Sequence, residues 1–148
     1  MLAPPALADE GGSGCYRKLY SANWIREHEA QSISDFYMLY YADGPPSFDI
    51  SLRRAGDPIY ASFGASGECK QGDGASLVCT SCFGGGFTII VNPADDVITI
   101  DASRPYGFFG VAATECGDKD VGEITAITAE EMPQPVMQVE GYFCPGAF

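Results

Sequence analysis

Cysteine is the residue type in this chain with the most chemistry to offer. Two of the cysteines form the motif Cys79-Thr80-Ser81-Cys82, which has the CxxC spacing of redox dithiols. Such dithiols work at the start of a helix, where the helix dipole lowers the pKa of a thiol. Here a predicted strand precedes the motif, and the glycine run 84–86 that follows it cannot sustain a helix. Redox catalysis is therefore kept only as an alternative.

Metal binding is a second chemistry that the same cysteines and one acidic loop could support. Cys69, Cys79, Cys82 and Cys116 include one ligand-like CxxC spacing, but the second CxxC of a typical zinc site is missing. The segment 118–123 has carboxylates at alternate positions, yet it lacks the third acidic ligand and the distal Glu of a calcium loop. The sequence predicts no metal and no cofactor.

Catalytic residues of the acid–base or nucleophilic kind are scarce. The chain has a single histidine, His28, between Glu27 and Glu29, and it has no glycine-framed serine of the elbow type. The glycine run 84–86 lacks the Lys-Ser/Thr of a phosphate loop. It is better interpreted as a turn or bulge where the backbone passes close to a neighbouring strand. We therefore predict that the protein is not an enzyme, and that His28 does no chemistry.

Export is indicated by the first residues. Ala6-Leu7-Ala8 before Asp9 has the small-x-small pattern of a signal-peptidase site, although a basic region ahead of it is missing. Residues 1–14 are predicted to be a signal-peptide remnant and flexible leader, and residues 15–148 a single β domain. No stretch approaches the roughly 18 apolar residues of a membrane span. The predicted location is periplasmic or secreted.

In an oxidising compartment the cysteines are expected to form disulfides. The sequence alone does not choose among the possible pairings. A preference follows from position: Cys69 with Cys79 across a glycine-rich loop, and Cys15 with Cys144 to join the chain ends. Cys82 would then pair with Cys116. The residues involved are Cys15, Cys69, Cys79, Cys82, Cys116 and Cys144.

The charge balance limits the partners. Twenty acidic and 8 basic residues give a formal net charge of -12. Such a surface repels nucleic acid and anionic lipid, so neither is expected as a partner. It would attract a basic protein or divalent cations, while the alternative is that the acidity only keeps the protein soluble.

The hydrophobic pattern predicts one helix followed by strands. Ser21 is a plausible N-cap for a helix over 22–31, on which Trp24 is expected to pack against a β core. A period of two then dominates, and Thr128 to Glu131 has capping-box spacing. Strands are predicted at 33–41, 47–54, 59–63, 76–80, 86–91, 97–101, 108–114 and 135–143. The fold class is mainly β: a disulfide-stapled antiparallel β-sandwich or small barrel with one short N-terminal helix.

Aromatic residues give the best lead to function. They exceed what alternate core positions need, and tyrosine suits interfaces because it joins an apolar ring to a polar tip. The competing interpretation is that strand 33–41 is simply covered on both faces. The candidate binding residues are Tyr37, Tyr40, Tyr41, Tyr106, Phe108 and Phe109.

The predicted function is that of a non-enzymatic, exported binding or accessory module, inhibitor-like in its action. It would contact another envelope protein, and a basic protein would suit the negative charge of this chain. The alternatives are a CxxC-based redox or metal-binding protein, or a small-ligand carrier with an apolar barrel interior.

Two segments resemble an uncharacterised family of small exported, periplasmic bacterial proteins. Cys15-Tyr16-Arg17, followed by His28 and Gln31, is similar to the family's opening C-x-R/K…H-x-x-Q. The block from Cys69 through Phe87 is similar to its C…CxxCxGGGF pattern, although Phe83 stands where the family often has Asp. The resemblance covers most of residues 15–116. It implies export and an all-β domain, and it carries over no activity or site residues.

Overall fold

A computed structural model describes residues 11–28, 32–56, 62–120 and 122–131, and the backbone of 136–141. Within these residues it contains ten strands, one short α-helix and one 3-10 turn. The elements in chain order are β1 (Gly14–Leu19), α1 (Ala22–Glu27), β2 (Ile33–Tyr41), β3 (Ser47–Arg54), β4 (Phe63–Gln71), β5 (Ser76–Thr80), β6 (Gly86–Asn92), β7 (Val97–Asp101), β8 (Phe108–Ala112), β9 (Ile124–Thr128), the 3-10 turn (Ala129–Glu131) and β10 (Val136–Gly141).

The strands form one antiparallel sheet that nearly closes on itself. Its order is β3-β2-β1-β10-β7-β6-β5-β4-β8-β9, and a further pairing between β3 and β4 joins the two sides. Strand β4 allows this because residues 63–68 pair with β3 while residues 69–71 pair with β5. The mainly β prediction is confirmed, and of the two predicted architectures the structure is barrel-like.

Alternation along the strands places the core inside this sheet. On β2 the buried side chains include Phe36, Met38 and Tyr40, and on the neighbouring β3 they are Phe48, Ile50 and Leu52. The rings of Phe48, Phe87 and Phe109 pack edge to face, with centroids 5.1 and 5.2 Å apart. Large side chains thus occupy the interior that a carrier of apolar ligands would need to leave open, and each contributes about 1.5–3 kcal/mol by burial.

Helix α1 begins where the sequence predicts. The Ser21 hydroxyl accepts a hydrogen bond from the Trp24 N–H at 3.1 Å, as an N-cap does. The helix ends at Glu27, and residues 29–31 of the predicted helix lie outside the described residues. The prediction that Trp24 packs against the core is wrong, because Tyr20 makes that contact and Trp24 stacks between Tyr20 and His28.

Three strands differ from the predictions. Strand β1 begins at Gly14, within the predicted leader, and β9 was not predicted because it is a short segment with few large apolar residues. Strand β4 begins at the last residue of the predicted strand 59–63 and continues through residues 64–71, for which no strand was predicted. Residues 59–61 lie outside the described residues. Strand β4 was hard to predict because it contains glycines, which are uncommon inside strands. Gly67 is needed because the backbone of Thr80 passes so close that a Cβ there would collide with the Thr80 carbonyl oxygen.

Candidate functional site

The cysteines in the described part of the chain form disulfide bonds. The predicted disulfides Cys69–Cys79 and Cys82–Cys116 are both present. Cys15 is disulfide-bonded as well, while its predicted partner Cys144 lies outside the described residues. Because the two cysteines of the CxxC motif bond to different partners, they do not form a dithiol pair with each other. In the described part of the chain, no group of three or more His, Cys, Asp or Glu side chains could hold a metal ion.

The CxxC segment instead holds β8 in place. The Ser81 hydroxyl donates to the carbonyl oxygen of Gly110 at 2.7 Å, and the Gly110 N–H donates to the carbonyl oxygen of Gly84 at 2.8 Å. The Cys82 N–H donates to the carbonyl oxygen of Ser66, on β4, at 2.9 Å. A Cβ at Gly85 would collide with the Phe108 carbonyl. The prediction that the glycine run marks a close backbone approach is therefore confirmed.

The six predicted aromatic binding residues lie in different places. Tyr40 and Phe109 are buried in the core, so they cannot contribute to a surface contact, which corrects the prediction for these two. Tyr37 lies on the outer face of β2 and Tyr41 is exposed at its end. Phe108, on β8, is exposed, and so is Tyr106 in the preceding turn.

His28 caps the end of α1. Its Nδ1 lies 2.8 Å from the Trp24 carbonyl oxygen, and its ring stacks on the indole with centroids 3.6 Å apart. Both contacts serve the local structure: the Nδ1 atom lies against a carbonyl oxygen of the last helical turn, and the imidazole ring packs on the indole.

Strand β9 is a free edge of the sheet. It pairs with β8 on one side, and among the described residues no strand pairs with its other side. Its sequence, Ile124-Thr125-Ala126-Ile127-Thr128, contains no charge and no proline. Charges, prolines and bulges are the usual means by which proteins prevent pairing at such edges. As far as the described residues extend, this edge is therefore open to another strand.

The direction of the backbone groups on β9 follows from hydrogen bonds at two points. In the antiparallel ladder Gly110 lies opposite Ala126, and the Gly110 N–H points away from β9, toward Gly84. Opposed residues of a ladder direct their groups alike, so the N–H and C=O of Ala126 point away from β8. Consistently, two residues further on, the Thr128 N–H donates to the Glu131 carboxylate at 2.9 Å. That bond is one of the two that make up a capping box, for which Thr128 and Glu131 have the predicted spacing.

The side chains beside this edge are apolar and accessible. Ile124 is 50% exposed and Phe108 is 37% exposed, and both lie on the same face of the β8–β9 ladder. Ala126, between them on that face, is exposed too. Acidic residues flank the strand, with Glu123 before it and Glu130 after it. We call the backbone edge of β9 together with Phe108, Ile124 and Ala126 the β9 edge.

A second feature lies on strands that do not pair with β9. A cavity of about 190 Å³ opens on the outer face of β1, β2 and β3. It brings Tyr37 together with Arg17, Asp35 and Arg53. Of these four residues only Tyr37 was predicted as a binding residue, because the strand register that brings them together is a property of the tertiary fold.

Comparisons with protein-family models, with curated proteins and with solved structures find no match. The resemblance to small exported bacterial proteins therefore stays a prediction. Among the described residues, no helix is both long and apolar enough to cross a membrane.

Proposed function

We propose that this protein is a non-enzymatic, exported binding module, and that it holds an extended segment of a partner envelope protein along the β9 edge. The open edge of β9 is the observation that carries this proposal. In this form of recognition a peptide adds a strand to a sheet: main-chain hydrogen bonds provide affinity, and alternate side chains provide specificity.

The β9 edge supplies both kinds of contact. The N–H and C=O of Ala126 point out of the sheet and are available to a new strand. Phe108 and Ile124 lie on one face beside it and offer apolar surface to alternate side chains of the partner. The small side chain of Ala126 between them leaves room for a larger residue of the partner.

Charge indicates the chemistry of the partner. The chain carries a net charge of -12, and Glu123 and Glu130 flank the edge strand directly. A second copy of the same chain would bring like charges together, whereas a basic segment would be attracted and its association accelerated. The proposed occupant is therefore an extended, basic segment of a different protein.

The disulfides support an exported location. The bonds Cys69–Cys79 and Cys82–Cys116 belong to a class that persists in oxidising compartments such as the periplasm and the extracellular space. The proposed partner is accordingly a periplasmic or secreted protein, and inhibition of that partner is one way in which such a module could act.

The test uses Ala126→Pro. Proline removes the N–H that the partner would use but removes no bond of the β8–β9 ladder, so the fold is expected to tolerate it. The matched control is Ile90→Thr, which removes a 48% exposed apolar side chain on β6, away from the β9 edge. Each variant and the wild type are used to capture proteins from the exported fraction.

We expect the wild type and Ile90→Thr to retain the same stoichiometric, basic partner, and Ala126→Pro to lose it. Thermal unfolding of all three proteins shows whether the fold is intact. Should Ala126→Pro be folded and capture the partner as well as the wild type does, or should the wild type recover no stoichiometric partner, the proposal is wrong.

A further inference from the structure

The cavity on the outer face of β1, β2 and β3 is built around a fixed ion pair. Arg17 donates from Nε to one Asp35 carboxylate oxygen at 3.2 Å and from a terminal nitrogen to the other at 3.0 Å. The Asp35 side chain is only 9% exposed and that of Arg17 18%. This two-pronged geometry is the strong form of an arginine–carboxylate contact, and it fixes both groups in place.

Tyr37 holds the same arginine from another side. The Arg17 guanidinium carbon lies 4.5 Å from the centroid of the Tyr37 ring, within the range of a cation–π contact. Tyr37 also lies directly opposite Arg17 in the pairing of β1 with β2. One wall of the cavity is therefore preorganised before any ligand arrives.

Arg53 is the second cation of the cavity. It lies directly opposite Asp35 in the pairing of β2 with β3, and it is half-buried. Asp35 already uses both oxygens on Arg17, and the Arg53 guanidinium makes no ion pair within the described part of the chain. Among the described residues, Arg53 is therefore the cation of the cavity that no ion pair engages, in a protein whose net charge is -12.

Hydroxyl groups complete the lining. Ser51 lies opposite Tyr37 in the pairing of β2 with β3, and Ser62 precedes β4; both line the cavity. Its volume of about 190 Å³ corresponds to roughly six water molecules at about 30 Å³ each. That space suits an oxyanion group carried by a small molecule rather than a large ligand.

We propose that this cavity binds the oxyanion group, carboxylate or phosphate, of a small molecule. Arg53 is the residue that contacts the anion, because its guanidinium makes no ion pair among the described residues. The Arg17–Asp35 pair forms the rigid wall, and the hydroxyls of Ser51 and Ser62 are further donors. This site is independent of the β9 edge, since it lies on strands that do not pair with β9.

Two probes at low ionic strength test the proposal: acetate for a carboxylate and methyl phosphate for a phosphate. Binding is followed by amide chemical-shift changes and by calorimetry for the wild type, Arg53→Gln and Lys119→Gln. Lys119→Gln is the matched control, because it removes the same charge from an exposed residue outside the cavity. Thermal unfolding verifies that the variants are folded, and Ser51→Ala provides a milder second change in the cavity.

We expect saturable binding of at least one probe, with shifts centred on β1 to β3. Arg53→Gln should weaken it by about tenfold or more, since a hydrogen bond to a charged group is lost, whereas Lys119→Gln should leave it unchanged. The stronger of the two probes identifies the ligand class. Equal weakening by both variants would show unspecific attraction and overturn the proposal, as would the absence of saturable binding of either anion.

Discussion

At the scale of single residues, two tyrosines near the start of the chain differ in whether their buried hydroxyl has a hydrogen-bond partner. The Tyr16 hydroxyl donates to the Gly12 carbonyl oxygen at 2.6 Å. The Tyr20 hydroxyl is buried and has no hydrogen-bond partner among the described residues. Burial raises the pKa of Tyr20 to about 12. The first hydroxyl therefore supports the fold, while the second opposes it.

Substitution by phenylalanine should separate the two cases. Tyr16→Phe is expected to lower the free energy of unfolding by about 1 kcal/mol, because it leaves a buried carbonyl without its donor. Tyr20→Phe should raise the free energy of unfolding by about 1 kcal/mol, because it removes an unpaired polar group from the interior. Urea unfolding at neutral pH measures both changes.

The pH dependence of Tyr20→Phe has a definite sign. Since the pKa of Tyr20 is about 12 in the folded state and 10 in the unfolded state, the wild type loses stability as the pH rises from 10 to 12. Tyr20→Phe has no such proton to release, so its advantage over the wild type should grow in that range. A constant difference between pH 8 and pH 12 would contradict the burial of this hydroxyl.

At the scale of elements, glycines determine how closely β8 can approach the CxxC turn. A Cβ on Gly110 would lie 2.5 Å from the Phe83 carbonyl oxygen, a backbone atom that cannot move aside cheaply. By contrast, a Cβ on Gly122, in the segment before β9, would meet nothing within 4 Å. The two glycines are thus a matched pair for testing the packing of the β8–β9 hairpin.

Gly110→Ala is expected to lower the free energy of unfolding by about 1–3 kcal/mol, because the added methyl group forces β8 away from the turn. Gly122→Ala should change it by less than about 0.5 kcal/mol. Chemical denaturation of both variants provides the comparison. If Gly110→Ala were as stable as Gly122→Ala, β8 would not pack against Phe83 as described.

Some elements could be predicted from the sequence and others could not, for physical reasons. Strand β3 alternates apolar and polar residues, and β2 is a run dense in apolar and aromatic residues, so both strands could be predicted. Strand β4 contains Gly64 and Gly67, which strands disfavour unless a neighbouring backbone needs the space, and this need is a tertiary fact. For the same reason the open edge at Ala126 was not predictable, since it depends on which strands find partners.

The candidate binding residues show the same limit. Tyr37 and Phe108 were predicted from their type and are accessible. Tyr40 and Phe109 are of the same types but are buried, because residue type does not say which face of a strand turns inward. Arg53 could not be predicted as a binding residue, because its place opposite Asp35 depends on the strand register.

At the scale of the whole molecule, sheet closure and charge act together. The pairing of β3 with β4 removes the edges that an open sheet would have there, so β9 remains as the free edge among the described strands. A net charge of -12 opposes self-association through that edge. The charge is thus in keeping with the proposed basic partner and disfavours pairing with a second copy.

Amide hydrogen exchange of the isolated, isotope-labelled protein tests the central claim, the open β9 edge, most directly. The Ala126 N–H points out of the sheet, whereas alternation directs the Ile127 N–H toward β8. We predict that the Ala126 amide exchanges at least about tenfold faster than the Ile127 amide. Equal protection of the two amides would contradict the account, because the edge would then be either already covered or not formed.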